Sequence, residues 1–406
     1  MTQRILYISY DGMLEPLGQS QVLAYLEKLA AGRTTHLISF EKPDDWANRE
    51  QRAAVARRIE DAGICWHPLR YHKRPSAAAT AFDIAHGSAV AVGLAWRHRI
   101  GVVHARSYIA GLMGLAAKRS SGAKLLFDMR GFWADERVDG NLWPAGGRLY
   151  RGAKAAERRL LLAADHVITL THASVEVLAQ LPYLQGRMPP VTVIPTCADL
   201  DRFKLQSAPK PDPFVLGYVG SVGTWYLLDE MLTCFRLLRE ELAGARLLIV
   251  NRAEQAMIID RAIELGIDRS AIEVIAAQHS RMPGLIATMH AAMALYAPSF
   301  SRIACAPTKL AEYLGCGVPC LGTAQVGDIT TILEPRRIGV SLEEFSEPEM
   351  KSAVKRLIAL AHEPGVRQRC RQAAVELFSL YGGIASYDKI YSSLSVAPSG
   401  KEGIAQ

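Results

Sequence analysis

Short apolar segments rich in β-branched residues alternate along the chain with longer segments whose apolar residues recur at helical spacing. The first half contains the short segments RILYISY, THLISF, ICWHPL, GVVHA, KLLFDM, HVITLT and VTVIP. The second half contains FVLGYVG, ARLLIV, IEVIA, AMALYAP, VPCLGT and RIGVSL. Strands that alternate with helices pair in parallel, so the pattern predicts an α/β protein whose sheets carry helices on both faces.

A proline-rich segment, SAPKPDP at 207–213, interrupts this alternation halfway along the chain. Its prolines cannot continue a helix or a central strand, so it marks a linker. The sequence therefore predicts two tandem Rossmann-like, doubly wound domains that face a cleft, over residues 1–206 and 207–380. Residues 381–406 are predicted to form a helix that crosses back to the N-terminal domain, and then a flexible tail. Such sheets bind ligands at the carboxyl ends of their strands, which places the expected site in the cleft.

The net charge of +7 is concentrated in the first half of the chain. Residues 1–205 carry 27 Lys and Arg against 19 Asp and Glu, whereas residues 206–406 carry 20 against 21. This excess indicates a phosphate-bearing substrate or an anionic membrane surface as partner, although a merely solvated surface explains it equally. The basic residues are dispersed and accompany no nucleic-acid-binding motif, so no nucleic-acid partner is expected. The arginine-rich helical segment REQRAAVARRIEDAG is either a membrane contact or a solvated face.

Cysteine usage and apolar segments indicate the compartment. The seven cysteines are scattered, and the spacing of Cys316 and Cys320 is no metal signature, so free thiols without a metal site are expected. The start, MTQRILYISYDG, lacks an apolar leader, and the apolar stretch GSAVAVGLAW at 87–96 is too short to cross a bilayer. The sequence thus predicts a cytoplasmic protein without a membrane span, with peripheral attachment to the inner face of the plasma membrane as an extension of the charge argument.

The first loop, SYDGMLEPLGQSQ, lies between the first strand and the first helix. Gly12 and Gly18 allow close backbone approach, and the helix start near Ser20 offers N–H groups to an anion. The loop does not have the GxGxxG form of a dinucleotide site. A purely structural turn is an equal alternative.

Charged residues accumulate at the ends of two strands in the first half. The segments GVVHARSYIAG and LLFDMRGFWADERVDG place there His104, Arg106, Asp128, Arg130, Asp135, Glu136 and Arg137. Arg106 or Arg130 would hold phosphate oxygens, and Asp135 or Glu136 would position a hydroxyl nucleophile. The alternative is an internal salt-bridge network that only braces the loop.

The loop GYVGSVGTWY after the first strand of the second domain combines glycines with small hydroxyl residues. Such a loop forms a backbone cradle for phosphate, and its candidate residues are Gly220, Ser221 and Thr224. The next strand ends at Asn251 and Arg252, and the Arg252 guanidinium is a candidate diphosphate clamp.

The segment APTKLAEYLGCGVPCLGT predicts a helix with Pro307 at its first position. Thr308 and Lys309 would present N–H groups and an ammonium to an anion. Glu312, one turn later, would accept two hydrogen bonds from a ribose diol, which would offset the burial of its carboxylate.

The motifs together resemble the retaining glycosyltransferases of family 4 (group 1), which have the GT-B fold. The resemblance extends over almost all 406 residues. The segments that carry it are ISYDGMLEPLGQSQVLAYLEKLA, VVHARSY, FDMRGFWADER, ADHVITLT, VIPTCADLDRF, GYVGSVGTWYLLDEM and PTKLAEYLGCGVPCLGT.

The resemblance implies a UDP- or GDP-sugar donor on the C-terminal domain and a glycan or polyprenyl-diphosphate-linked acceptor on the N-terminal domain. It implies hexosyl transfer with retention of configuration, usually without a metal ion or another cofactor, in bacterial surface polysaccharide synthesis. No protein nucleophile is implied, because the departing diphosphate helps to deprotonate the acceptor. Glu312 matches the family's ribose-contacting glutamate, and His104 and Arg106 match a strand end near the transferred sugar.

Three positions depart from the family pattern. Ala304 stands where the family has a first glutamate, and Arg106 stands at a second histidine position. The family's Arg/Lys pair after the first strand of the second domain is absent, which leaves Arg252, Arg302 or Lys309 to neutralise the diphosphate. The alternatives are a GT-B nucleotide-sugar epimerase and a non-catalytic nucleotide-sugar-binding protein, with a nicotinamide dehydrogenase a distant third.

Overall fold

The computed structural model describes residues 2–206, 210 and 212–395. The predicted tail from residue 396 and most of the predicted linker lie outside the described residues. A first sheet contains β1 (Arg4–Ser9), β2 (Thr34–Glu41), β3 (Ile64–Arg70), β4 (Val102–Arg106), β5 (Lys124–Asp128), β6 (His166–Thr169) and β7 (Val191–Val193). A second contains β8 (Val215–Val219), β9 (Arg246–Val250), β10 (Ile272–Ile275), β11 (Ala291–Ala294), β12 (Cys320–Thr323) and β13 (Gly339–Leu342).

The two sheets have the doubly wound order. The first runs β3-β2-β1-β4-β5-β6-β7 and the second runs β10-β9-β8-β11-β12-β13. All of the described pairings within them are parallel. The order reverses beside β1 and beside β8, so the loops after these strands lie at the topological switch points where ligands bind. Two Rossmann-like domains in tandem are thereby confirmed.

Helices connect the strands on both faces of each sheet. The first half contains α1 (Pro16–Gly18), α2 (Ala24–Leu29), α3 (Pro43–Ala47), α4 (Arg49–Asp61), α5 (Ser76–Arg97), α6 (Ser107–Ser121), α7 (Trp133–Asp139), α8 (Arg148–Ala163) and α9 (His172–Gln180). The second half contains α10 (Leu228–Glu241), α11 (Gln255–Glu264), α12 (Met282–Thr288), α13 (Thr308–Gly315), α14 (Ile329–Leu333), α15 (Glu347–Ala361), α16 (Val366–Phe378) and α17 (Leu380–Ser395).

The last helix, α17, packs on the first domain. Its residues Tyr387, Ile390 and Tyr391 share a buried cluster with Ile5 and Leu126 of the first sheet. The chain enters α17 beside residue 198, whose N–H donates to the carbonyl oxygen of Phe378 at 2.9 Å. The C-terminal helix therefore completes one face of the sheet formed by the first part of the chain.

Helix α5 corrects one expectation from the sequence. The apolar stretch 87–96 is only part of a 22-residue helix, Ser76–Arg97, which by length and composition alone could cross a membrane. The helix extends eleven residues before this stretch, through His86 and Asp83. Only 22% of its apolar window is buried in the fold, and one face of the helix is exposed to solvent.

Candidate active site in the interdomain cleft

A buried lysine lies beside the loop that follows β8. The Nζ atom of Lys309, at the start of α13, donates to the Tyr218 hydroxyl at 2.9 Å. Gly220 has a φ of +137°, and a Cβ at this residue would lie 3.0 Å from Lys309 Nζ. Glycine therefore serves two purposes here, since it adopts the left-handed region and lets the loop approach the ammonium.

Three tyrosine rings surround this ammonium. The Lys309 Nζ atom lies 4.1, 4.3 and 5.3 Å from the ring centroids of Tyr218, Tyr226 and Tyr296. Cation–π attraction compensates part of the desolvation of the charge. No carboxylate within the described chain forms an ion pair with it, and burial lowers the pKa of Lys309 to about 7. An anion placed against this cage would restore the full charge of the lysine.

Glu312 lies one helical turn after Lys309. Its side chain is partly exposed, and among the described residues no hydrogen bond to it contributes to its ionisation. Burial raises the pKa of Glu312 to about 7, against the opposing effect of Lys309 and Arg202. Glu312 is thus an acceptor with free lone pairs next to a cation with a free donor.

Other predicted donor residues occupy the surroundings of this pair. Ser221, Thr224 and Arg252 are exposed at the ends of β8 and β9, and Thr308 is partly exposed at the start of α13. Pro307 precedes α13 rather than forming its first residue, one position from the sequence prediction.

Asn251 has a structural task. Its Nδ2 donates to the carbonyl oxygen of Gly220 at 3.0 Å and to Glu254 at 2.6 Å. Its Oδ1 accepts from the N–H groups of Ala253 and Glu254. Asn251 therefore fixes the glycine loop, and its amide is engaged within the protein instead of being presented to a ligand.

Arg302, a candidate for the diphosphate contact, is engaged within the protein. Its Nη2 lies 3.0 Å from Glu136 Oε1, and its guanidinium stacks on Trp225 at 4.2 Å from the ring centroid. Arg302, predicted to bind phosphate, and Glu136, predicted to position a hydroxyl group, thus form an ion pair with each other across the domain boundary. The geometry therefore favours a bracing ion pair for Glu136 over a role in positioning a hydroxyl nucleophile.

Asp135 is also engaged within the protein. It is 8% exposed and accepts from the Tyr150 hydroxyl and from Lys154 Nζ, both at 3.0 Å. Lys154 also pairs with Glu157 at 2.6 Å. These contacts attach α7 to α8, so Asp135 braces the strand end and does not face an open site.

The segment Phe300–Ala304 inserts into the N-terminal domain. Phe300 stacks on Phe132 with ring centroids 5.2 Å apart, and the Ser301 N–H donates to Asp139 at 2.9 Å. Ala304 is 1% exposed and belongs to the core cluster of that domain. A glutamate at this position would bury a carboxylate in an apolar core, which explains the departure from the family pattern.

His104 is enclosed in the first domain instead of facing the cleft. It is 1% exposed, and its Nδ1 lies 2.7 Å from the Tyr391 hydroxyl of α17. Its ring centroid lies 4.3 Å from that of Tyr7, and its Nε2 lies 3.7 Å from Asp128. Burial lowers the pKa of His104, so the ring is neutral and braces α17. A direct contact of this residue with the transferred sugar is not supported.

Two arginines remain at the ends of β4 and β5. Arg106 Nη1 lies 2.5 Å from Asp11 Oδ2, in the first loop. Arg130 has a φ of +61°, and its Nη1 lies 3.9 Å from Asp128 Oδ2. Sequence reasoning did not single out Asp11, although it stands directly before Gly12. It also missed the three tyrosines of the lysine cage, because nothing local in the sequence shows that their rings face Lys309.

The first loop does not provide a phosphate cradle. The buried carboxylate of Glu41 accepts from the N–H groups of Met13 and Leu14 at 2.8 and 3.1 Å. A Cβ at Gly12 would lie 2.7 Å from Glu41 Oε2, and one at Gly18 would lie 1.9 Å from the Gly12 carbonyl oxygen. Both glycines are required for packing of the loop, which corrects their expected role in donor binding.

A cavity of about 400 Å³ lies between the domains near residues 194–197 and 376–386. It is lined by Thr171, Cys305 and Pro307 but does not reach Lys309 or Glu312. Asp328 accepts from the His172 and Ala173 N–H groups at its edge, at 2.7 and 3.0 Å. The cavity is therefore separate from the site formed by Lys309 and Glu312.

Comparison with known families gives two matches that follow one another along the chain. Residues 20–197 match the family described as "Glycosyl transferase 4-like domain", and residues 200–376 match "Glycosyl transferases group 1". A search of curated protein sequences gave no match.

Solved structures share the whole fold at low identity. The sucrose-phosphate synthase of Thermosynechococcus elongatus is 15% identical, with a TM-score of 0.70 over 97% of this chain and 99% of that one. A glycosyltransferase from Rickettsia africae is 12% identical, with a TM-score of 0.67 over 97% and 98% of the two chains. The HepE protein of Anabaena in complex with UDP-glucose is 14% identical, with a TM-score of 0.61 over 96% and 99%. At these identities the likeness shows the fold.

Proposed function

We propose, because the chain belongs to the group 1 glycosyltransferases of the GT-B fold, that its cleft moves a sugar from a nucleotide diphosphate sugar to a hydroxyl group of a glycan or lipid-linked glycan. The observation that carries the proposal is the Lys309 ammonium, which lies in a cage of tyrosines beside Gly220 without a carboxylate partner in the described chain. Its surroundings match what a diphosphate needs, namely a cation and nearby backbone N–H groups.

Lys309 takes over the task of the missing Arg/Lys pair in this proposal. Arg302 is engaged by Glu136, and Arg252 is exposed, so Lys309 is the buried cation nearest the glycine loop. The diphosphate would contact Lys309 Nζ and the N–H groups of Ser221, Gly223 and Thr224, whereas the Val222 N–H donates to Glu254 at 3.4 Å. Since the same lysine would bear the charge that develops on the departing diphosphate, it acts in both binding and transfer.

Glu312 would hold the ribose of the donor. Its carboxylate is free to accept hydrogen bonds from the two adjacent hydroxyl groups, and these donors favour its ionised form. The complex of the HepE protein with UDP-glucose supports a uridine nucleotide, and a GDP-sugar is the other candidate.

Transfer with retention of configuration is the proposed course of the reaction. Asp135 and Glu136 are held in internal contacts, which supports a mechanism without a protein nucleophile. The acceptor oxygen bonds to the anomeric carbon as the bond from that carbon to the diphosphate oxygen breaks. The acceptor proton passes to the departing diphosphate on the same face. Arg106 and Arg130 would orient the acceptor, and no metal ion is required because Lys309 neutralises the leaving group.

The decisive experiment is calorimetry with a panel of UDP- and GDP-sugars, followed by product analysis with each donor that binds. We expect one donor to bind and to release its nucleotide only when a glycan or polyprenyl-diphosphate-linked acceptor is present. Formation of an epimer from donor alone would indicate an epimerase. Binding without nucleotide release across a broad acceptor panel would contradict transfer, and with it the role in cytoplasmic synthesis of surface polysaccharide that we propose.

A further inference from the structure

Helix α5 presents an apolar face to solvent. Phe82 and Trp96, which lie four turns apart on this face, are 56% and 65% exposed. The exposed residues between and beside them are small and uncharged apart from one histidine: Ala77, Ala78, Ala81, Ala85, His86, Ala89 and Gly93. In the described chain no other element covers this face, which extends over a helix of about 33 Å.

The opposite face of α5 fully accounts for its packing in the fold. Small residues at every fourth position, Ala79, Gly87, Ala91 and Ala95 together with Asp83, are buried against the domain. A Cβ at Gly87 would lie 2.6 Å from the sulfur of Met113, so the helix packs closely on α6. The packing of α5 against the domain therefore does not involve the exposed apolar face.

Asp83 is the one acidic residue between positions 70 and 101, and it is fully buried. It accepts from the Tyr10 hydroxyl and pairs with His72. Basic residues lie exposed at both ends of the apolar face, with Lys73 and Arg74 before the helix and Arg97 and Arg99 after its exposed part. The face is thus apolar in the middle and cationic at both ends.

We propose that α5 docks on an anionic lipid bilayer, with Phe82 and Trp96 in the interface and the basic ends on lipid headgroups. A helix of this composition lies parallel to a membrane surface, and aromatic side chains favour the headgroup level. A second copy of the protein is less suited than a bilayer to cover the exposed face of α5. Both ends of the face are basic, so either orientation of a paired helix would bring like charges together.

The helix that sequence analysis singled out, α4, is a poorer candidate. Arg58 pairs with Glu27 at 2.9 Å, and Arg52 stacks on Trp46. The buried residues of α4 belong to the cluster with α2, whereas those of α5 belong to the cluster with α6, on the other face of the sheet. Docking by α5 therefore turns α4 away from the membrane.

Docking by α5 would place the cleft at the membrane surface. The first turns of α5 contact Tyr10, directly after β1, through Asp83. Because the carboxyl ends of the parallel strands form the cleft side of the sheet, this end of the helix lies at the rim of the cleft. A lipid-linked acceptor would then reach the site without leaving the bilayer.

Co-sedimentation of the whole protein with vesicles tests this proposal without donor or acceptor, so its outcome is independent of sugar transfer. We expect binding to vesicles of equimolar phosphatidylglycerol and phosphatidylcholine, and much weaker binding to phosphatidylcholine alone. The double variant Phe82→Ser/Trp96→Ser should reduce binding roughly tenfold or more, because the apolar contribution is lost. The variant Met257→Ser/Ile263→Ser, which changes two exposed apolar residues on α11, should bind as the unmodified protein does.

Charge reversal gives a second matched pair of variants. Lys73→Glu/Arg97→Glu, at the two basic ends of the α5 face, should abolish most binding. Arg49→Glu/Arg57→Glu on α4 makes the same change in net charge and should bind nearly normally. Failure of the folded protein to bind the anionic vesicles would overturn the proposal. Equal losses in the two charge-reversal variants would do the same, as would a dimer in ultracentrifugation that Phe82→Ser/Trp96→Ser dissociates.

Discussion

The loops after β1 and β8 occupy the same place in two sheets of the same topology, yet they differ in what their backbone can bind. In the first, the Met13 and Leu14 N–H groups are held by Glu41, and the glycines pack against that carboxylate and against each other. In the second, Gly220 faces the Lys309 ammonium, and a carboxylate, that of Glu254, accepts from one N–H group of the loop, that of Val222 at 3.4 Å. A glycine-rich loop at a switch point is therefore not by itself a phosphate site. The charge of the side chain that faces the loop decides its function.

The largest expected effect is the loss of the cation in the second loop. Lys309→Met keeps the volume in the tyrosine cage but removes the charge, and should weaken nucleotide-sugar binding by about 3 kcal/mol, or roughly 100-fold. Calorimetry measures this affinity. The control Lys351→Met removes an exposed lysine that pairs with Glu240 and should leave the affinity unchanged. Unaltered affinity of Lys309→Met would make the cage a purely structural feature.

Mutation of the glycines in the first loop should instead lower the stability of the protein. The added methyl of Gly18→Ala would lie 1.9 Å from the carbonyl oxygen of Gly12, and the resulting displacement should lower the free energy of unfolding by about 2 kcal/mol. Urea denaturation measures this change. Gly152→Ala, in α8 with open space around the added methyl, should be neutral or slightly stabilising. If Gly18→Ala reduced nucleotide affinity without affecting stability, the contrast between the loops would be wrong.

A smaller loss of donor affinity is expected from mutation of Glu312, the residue that would hold the ribose. Glu312→Ala should reduce the affinity for the nucleotide sugar by about 1–2 kcal/mol, since hydrogen bonds to a carboxylate are lost. Calorimetry with the corresponding 2′,3′-dideoxy nucleotide separates this contact from a general disturbance. The unmodified protein and the variant should bind that analogue equally well. A loss of similar size with both ligands would place Glu312 away from the ribose.

The smallest effect is a pH dependence of donor affinity. In the unliganded protein the pKa values of Lys309 and Glu312 are both about 7, and binding requires a charged lysine and an ionised carboxylate. Affinity should fall above pH 7, because Lys309 must take up a proton, and below pH 7, because Glu312 must release one. On either side of pH 7, the free energy of binding should change by at most about 1.4 kcal/mol per pH unit.

Titration of the affinity by calorimetry should therefore give a bell-shaped profile. A nucleotide sugar is the suitable ligand, since its diphosphate is esterified at both ends and does not titrate near neutrality. Lys309→Met should remove the alkaline limb, and Glu312→Gln should remove the acidic limb. A flat profile for the unmodified protein would show that neither charge changes on binding.

Sequence reasoning located the strands well and the cross-domain contacts poorly. The thirteen strands coincide with the apolar segments, because buried parallel strands require continuous apolar residues. By contrast, Glu136 and Arg302 are separated by 166 positions, and nothing local in either segment indicates that they meet. His104 was misplaced for a related reason. Alternate residues of a strand face opposite sides, and only the tertiary structure shows that this side lies beneath α17.

The candidate site was predictable only in part. The helix start places Lys309 and Glu312 one turn apart, and this spacing is a local property of the sequence. The tyrosines around the lysine come from β8, from the loop after it and from the residues after β11, so the burial that lowers the pKa of Lys309 is visible only in the folded protein. Helix α5 extends beyond the apolar stretch 87–96 through Asp83, and the partners of this buried carboxylate, Tyr10 and His72, could not be foreseen.

The insertion of Phe300–Ala304 into the N-terminal domain has a mechanical consequence. Only residues 305–307 separate this anchor from the helix that carries Lys309. The donor cation is therefore tethered over a very short distance to the domain that would hold the acceptor. Any rotation of one domain against the other pulls directly on the start of α13. In the proposed function, opening of the cleft would then draw the ammonium out of line with the diphosphate and would loosen the spent nucleotide.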